Sequence, residues 1–340
     1  MKMWNQRLLT ACLLLMLWTG ACTTSVGEPD IPSALDPQGP AAANIANLWW
    51  LLFWLGTAVF VIVTALLLFI VFTHRRPGEM MAPDLRAPEH RTWVWWGGVI
   101  FPAIILSLTL FFTLRSHIAL AYPPTPPALT IEVIGHMWWW EVRYPDHEVT
   151  TANEIYIPAG QPVNFRLTTN DVIHSFWVPE LNGKIDMIPG KTNSLWLQAA
   201  EPGIYRGLCA EFCGLQHAKM QYLVIAVPPN AFAQWVEQQR QPAPAPTDET
   251  TRLGQQIFLG SACVYCHAIR GTNASGQLGP DLTHIASRRT LGAGILPNNR
   301  GTLGGWTINS QHIKPGNRMP PMNLSGAELQ ALLDYLATLQ

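Results

Sequence analysis

The stretch Cys209-Ala-Glu-Phe-Cys-Gly-Leu-Gln-His-Ala-Lys-Met220 decides how the rest of the chain is read. Cys209 and Cys213 stand four apart, His217 follows four later and Met220 three after that. Two thiols, an imidazole and a thioether therefore fall within one short loop. Thiolate and thioether are soft donors, and imidazole suits copper as well as zinc. A mononuclear blue-copper centre asks for one Cys, two His and a weak axial Met, so a second Cys lets two sulfurs bridge two metal ions. His174, in Asn170-Asp-Val-Ile-His-Ser-Phe-Trp177, is the natural second imidazole. A structural zinc site leaves Met220 unexplained, and a disulfide is cramped by the four-residue spacing. Copper uses every donor.

Further along, a Pro-Ala segment (residues 236–250) reads as a semi-extended linker. Beyond it, Cys263-Val-Tyr-Cys-His267 is a c-type haem attachment motif. The two thiols add to the haem vinyl groups, and His267 stands ready as proximal iron ligand. The other reading of the Cys pair is a zinc or redox CxxC. The sixth ligand should be a Met, since Met/His ligation suits a higher-potential electron carrier. Gly316-Asn-Arg-Met-Pro-Pro-Met322 offers Met319 and Met322. Ser325 and Glu328 form a capping box ahead of a helically spaced apolar run to Leu339.

The chain has 340 residues, 49% of them hydrophobic and only 13% charged, which is low for a soluble protein and leaves room for membrane segments. A net charge of −1 with no basic run argues against nucleic-acid binding. Leu48–Phe72 and Trp93–Leu114 carry no charged residue. At about 1.5 Å per residue each is long enough to cross a hydrocarbon core of about 30 Å. Trp49, Trp50, Trp93, Trp95 and Trp96 sit at their ends, where an aromatic belt is expected. Arg75, Arg76, Arg86 and Arg91 lie in the loop between them, so the positive-inside rule puts that loop in the cytoplasm and everything after residue 117 outside.

Residues 1–22 read as a signal peptide, with Lys2 and Arg7 before an apolar stretch. Its terminal Cys22 resembles the acylated Cys of a bacterial lipoprotein, with Thr19 where a large aliphatic residue is usual. Cys12 lies inside the apolar stretch, so all six Cys are assigned without a structural disulfide. Between residues 128 and 228, short alternating runs such as Val163, Phe165 and Leu167 predict strands at 129–134, 194–197 and 222–227. Such strands with Pro and Gly turns suggest a β-sandwich or Greek-key barrel.

The copper loop closely resembles the binuclear copper A signature of cytochrome c oxidase subunit II, and the likeness covers about residues 45–230. The resemblance implies a cupredoxin fold and a ligand set of His174, Cys209, the Glu211 carbonyl, Cys213, His217 and Met220. It further implies that the Glu211 side chain binds magnesium or manganese at the contact with subunit I. Trp138, in Gly135-His-Met-Trp-Trp-Trp140, matches the family's electron entry point, although Met137 replaces its usual Gln. Trp139 and Trp140 read as packing residues, His136 and His147 as surface or hydrogen-bonding groups, and Lys184 and Asp186 as shaping the subunit contact. The family's acidic residue at the start of the second helix has no counterpart, the nearest acid being Glu89.

The segment after the linker resembles a class I cytochrome c. Gly254-Gln-Gln-Ile-Phe258 matches its first helix, and Pro280, in Leu278-Gly-Pro-Asp-Leu282, its carbonyl partner to the ligand His. Met319 fits the family position better than Met322. Trp306 is read either as a propionate partner or as core. The order is thus signal (1–22), two-helix transmembrane hairpin (45–117), all-β cupredoxin copper A domain (118–235), linker (236–250) and all-α class I cytochrome c domain (251–340). It resembles subunit II of caa-type oxidases. The resemblance implies electron transfer from a cytochrome c or other donor through haem c and copper A to subunit I, in the plasma membrane, with proton pumping there. The rivals are the small subunit of a copper A nitric oxide reductase and a membrane-tethered copper chaperone. The chaperone's distant His on a thioredoxin fold does not match His217-Ala-Lys-Met220 or the haem motif.

Overall fold

The computed structural model describes residues 32–73 and 88–340. The signal peptide, Cys12, Cys22 and the basic loop with Arg75, Arg76 and Arg86 lie outside the described residues, as does the side chain of Glu89.

Helix α1 (Pro40–Thr73) is apolar all round, and its hydrophobic window is unburied, as a lipid-facing helix requires. The second span is built of α2 (Pro88–Trp95), a π-turn (Trp96–Ile100) and α3 (Phe101–Ala121). Pro102 causes the π-turn. It has no N–H and its ring crowds the carbonyl four residues back, so the ladder widens and Phe101 N–H bonds Trp96 O. Both helices outrun the expected spans, by Pro40–Asn47 and by Arg115–Ala121. Those extra turns are docked on the domain above. Ala41, Ala42, Ala46 and Ser116 are buried, Gln38 N–H bonds Glu180 O at 2.8 Å, and Trp196 Nε1 bonds Leu120 O at 2.8 Å.

The next domain is a sandwich of two five-stranded sheets. One runs β3 (Val149–Ala152), β2 (Trp139–Tyr144), β1 (Thr130–His136), β5 (Val163–Thr169) and β8 (Asn193–Leu197). The other runs β4 (Glu154–Pro158), β10 (Gln221–Val227), β9 (Gly203–Cys209), β6 (His174–Trp177) and β7 (Ile185–Met187). The β1–β5 and β4–β10 pairs are parallel and join strands distant in sequence. Val163, Phe165 and Leu167 are fully buried, so the alternation in β5 does select its inner face. Trp140, Phe176 and Tyr222 pack ring to ring in the core, with Trp140 and Tyr222 centroids 4.9 Å apart.

Helix α4 (Pro229–Arg240) closes the sandwich, its Trp235 stacking on Tyr156 at 4.5 Å. It takes up residues 236–240, which the sequence reading assigned to linker. The signal for it was Pro229 at the first turn with Phe232 and Val236 four apart. The remaining linker is tied down too. Ala243 N–H bonds Arg270 O at 2.9 Å, and Arg270 reaches back to the carbonyls of Gln239 and Arg240.

The last domain has α5 (Glu249–Gly260), a single turn α6 (Cys263–Cys266), α7 (Arg300–Asn309) and α8 (Gly326–Thr338). Its departure from all-helix is a hairpin of β11 (Thr290–Leu291) and β12 (Leu296–Pro297). Helices α5 and α8 meet at Gly254, where a Cβ would stand 2.0 Å from Ala331 O, so only glycine permits this crossing. The expected capping box forms, with Ser325 N–H bonding Glu328 Oε2 at 2.8 Å.

Candidate metal and haem sites

Two strand ends and one loop make the copper site. His174 opens β6, Cys209 closes β9 beside it, and the loop 210–220 carries the rest before β10 begins. Cys209 Sγ and Cys213 Sγ are both free and lie 3.8 Å apart. His174 Nδ1 is 3.8 Å from Cys209 Sγ, His217 Nδ1 is 3.7 Å from Cys213 Sγ, and Met220 Sδ is 3.8 Å from Cys213 Sγ. The Glu211 carbonyl faces Cys209 Sγ at 3.2 Å. His174, Cys209, Cys213 and Met220 are buried, while Glu211 and His217 are half-buried. The donor set fits a pair of soft ions. Three sulfurs, two imidazoles and a carbonyl converge on one buried spot, with the two thiols in its middle. Gly135 of β1 lies against His174, where a Cβ would come within 2.9 Å of the ring.

The electrostatics favour ligation. The Cys213 thiol hydrogen-bonds Cys209, outweighing burial, and holds Cys209 well below the usual thiol range while Cys213 is pushed up. The shared hydrogen bond thus favours the thiolate at Cys209, the form in which a Cys would hold a metal. Asp171 Oδ1 sits 2.8 Å from His174 Nε2, the nitrogen not facing sulfur. Burial would raise the Asp171 carboxyl, but His174 and the N–H groups of Met137 and Val172 hold it at about 2. Burial pulls His174 down, and Asp171 with Cys209 more than reverses it. A carboxylate behind a ligand imidazole fixes its ring and tautomer. The signal in the sequence for this role of Asp171 is its place three residues before His174.

The remaining copper-domain residues sort clearly. Trp138 Nε1 donates to Cys213 O at 2.9 Å. Trp140 is fully buried, and Trp139 stacks on His136 at 4.3 Å, so both are packing residues. His136 pairs with Glu141 at 3.0 Å and His147 meets the Phe232 ring at 6.0 Å, apart from the copper donors. Lys184 and Asp186 form an exposed pair at 3.9 Å.

In the last domain a cavity of about 260 Å³ is lined by Cys263, Cys266, His267, Trp306, Met319 and Met322. His267 Nδ1 donates to Pro280 O at 2.7 Å, which orients the ring and leaves Nε2 as the nitrogen that would face a ligand, and burial lowers its pKa. These residues fit a haem: apolar walls, two thiols together and an oriented imidazole. Met319 has the more firmly held backbone. Its N–H bonds Asn317 Oδ1 at 2.8 Å, and its carbonyl accepts from Ser310 Oγ and Gln311 Nε2 at 3.1 and 2.8 Å. Met322 has one backbone bond, to Ile308 O at 2.9 Å. The copper domain contributes Met137, Trp138 and Trp139 to the same cavity. One indole therefore touches both sites.

Comparison with known proteins agrees with both halves. Residues 147–227 match the family described as cytochrome c oxidase subunit II, periplasmic domain, and residues 251–340 match cytochrome c. Cytochrome c oxidase subunit 2 of Alkalihalophilus pseudofirmus is 35% identical, with all of this chain and 99% of that protein covered. The protein of the same name from Bacillus sp. PS3 is 30% identical over 79% of this chain and 80% of its own. A crystal structure of the periplasmic domain of subunit II of cytochrome oxidase from Bradyrhizobium japonicum is 33% identical over 34% of this chain and 96% of that one, with a TM-score of 0.33.

Proposed function

The chain belongs to the cytochrome c oxidase subunit 2 family, within haem-copper oxidases, and on that premise we propose that it is the electron-input subunit carrying the whole path from donor to subunit I. Cys263 and Cys266 would attach one haem c, and His267 and Met319 would hold its iron. His174, Cys209, the Glu211 carbonyl, Cys213, His217 and Met220 hold the two ions of copper A. When bound, these groups supply one-electron oxidation and reduction at nearly fixed geometry. The protein's part is to orient the donors, exclude water and keep the two centres close. Trp138 carries the reading: its indole hangs from the Cys213 carbonyl and also lines the haem cavity. The Glu211 carboxylate, half-buried beside the copper loop, takes magnesium or manganese at the subunit I contact.

Subunit I reduces oxygen and pumps protons, and electrons reach this chain from a cytochrome c or another donor. The two apolar helices anchor it in the plasma membrane as a two-pass protein, with both redox domains outside. The purified complex tests this. Haem spectra and a two-copper hyperfine pattern by electron paramagnetic resonance should appear together, with oxygen consumption. Consumption of nitric oxide instead would assign the chain to a nitric oxide reductase.

A further inference from the structure

The seam between the haem and copper domains is built from buried polar groups. Glu154 of β4 is 2% exposed, and its Oε1 accepts from Arg289 N, Thr290 N and Thr290 Oγ1 at 2.8, 2.8 and 3.0 Å. The tip of the β11–β12 hairpin joins the same sheet end at the start of the neighbouring strand β10, Gln221 N–H bonding Ala293 O at 3.0 Å. Next to the copper loop, three consecutive residues of the haem domain are gripped. Lys219 Nζ donates to Ile313 O and Gln216 Nε2 to Pro315 O, each at 2.6 Å. Lys314, between them, is turned the other way. Its Nζ donates to Trp138 O at 2.7 Å and to Gly292 O at 2.9 Å, and the residue is 2% exposed.

A buried lysine without a carboxylate partner is costly, and its presence asks for a reason. Packing is a poor one, because Met would fill the same space without desolvating a charge. What Lys314 does uniquely is tie the backbone of Trp138 to the haem domain. The indole of that residue is tied to Cys213 at its other end. Trp138 is thereby held at two points, one on each side of the gap between the cofactor sites. We propose that Lys314 is a positioning residue for haem-to-copper electron transfer, fixing Trp138 between the haem cavity and the copper loop. The inference rests on the functional reading above. The step served moves one electron and no atom: the haem is oxidised by one electron, the copper pair is reduced by one, and no bond or proton changes hands.

Charge is not required for this role. Burial lowers the Lys314 ammonium to about 7, and a neutral amine still has the two N–H groups that the two carbonyls need. The test uses the intact complex, with Lys314→Met, which removes the donor, and Lys314→Gln, whose amide keeps two N–H groups. Haem is photoreduced and the copper absorbance followed. Hydrogen exchange is read on peptides containing Trp138 and on those spanning Arg289–Leu296. Lys314→Met should slow copper reduction roughly tenfold and deprotect the Trp138 peptide alone, while Lys314→Gln stays within about threefold of the parent rate. Unchanged rate and exchange in Lys314→Met would overturn the proposal. So would deprotection of the whole seam, which would make Lys314 a docking residue. A shifted haem potential with an unchanged rate would instead assign it to a haem propionate and also overturn it. Absence of transfer in the parent complex would sink the functional reading itself, a result distinct from any of these.

Discussion

The two redox sites of this chain are made in opposite ways. The copper donors are held by a finished core: Trp140, Phe176 and Tyr222 are fully buried behind His174, and the ligand sulfurs stand 3.8 Å apart. The haem site is a lining instead, its side chains surrounding a space of about 260 Å³ with Cys263 and Cys266 only half-buried. A small ion can use the protein's packing as its container. A large prosthetic group has to be part of the packing, because only it can replace the contacts that line so big a cavity.

Breaking haem attachment gives the largest expected effect. With Cys263→Ser and Cys266→Ser together, the haem domain should lose its own thermal transition while the copper domain keeps its transition, as differential scanning calorimetry of the full chain would show. Attacking the copper domain's core comes next. Trp140→Ala should cost about 3–5 kcal/mol by denaturant unfolding and loosen the copper donors with it. A cost below about 1 kcal/mol would mean that the core does not hold the copper donors.

A smaller effect lies on the seam. The Lys314 ammonium is lowered by burial to about 7 from an ordinary 10.5, with Cys213 and Lys219 acting on it in opposite senses. Between those values the unfolded chain binds the proton that the folded chain has released. Stability from this residue therefore rises with pH across that window, by at most about 1.4 kcal/mol per pH unit. Unfolding curves at several pH values should lose that slope in Lys314→Met. The smallest change in stability is expected at the metal ligand. Cys213→Ser should abolish the two-copper hyperfine pattern yet shift the copper-free unfolding midpoint by less than about 1 kcal/mol, since the core does not rest on the sulfur.

What the sequence made legible was local. Cys209 to Met220, Cys263 to His267 and the two apolar spans each announce themselves within one unbroken stretch of sequence, because ligation by a loop, haem attachment and lipid burial are all short-range constraints. Alternation in β5 is likewise local and gave the sandwich. Lys314 and Glu154 could not be read in this way. Their partners lie 176 and 135 residues off in sequence, and neither residue type hints at a buried acceptor or donor. The tied linker escaped for a related reason: Pro and Ala forecast its extended backbone, while what pins it is Arg270, a residue of the next domain.

Both apolar helices are fastened to the copper sandwich at the ends nearest it, α1 through Ala42 and the preceding Gln38 and α3 through the Leu120 carbonyl, which accepts from Trp196. One attachment would act as a pivot, leaving the sandwich free to nod against the lipid surface. Two of them, on separate helices, take that freedom away. In the proposed two-pass arrangement the copper loop keeps a constant elevation and heading over the bilayer, like an instrument bolted to two posts, and the proposed electron acceptor meets it at a fixed address.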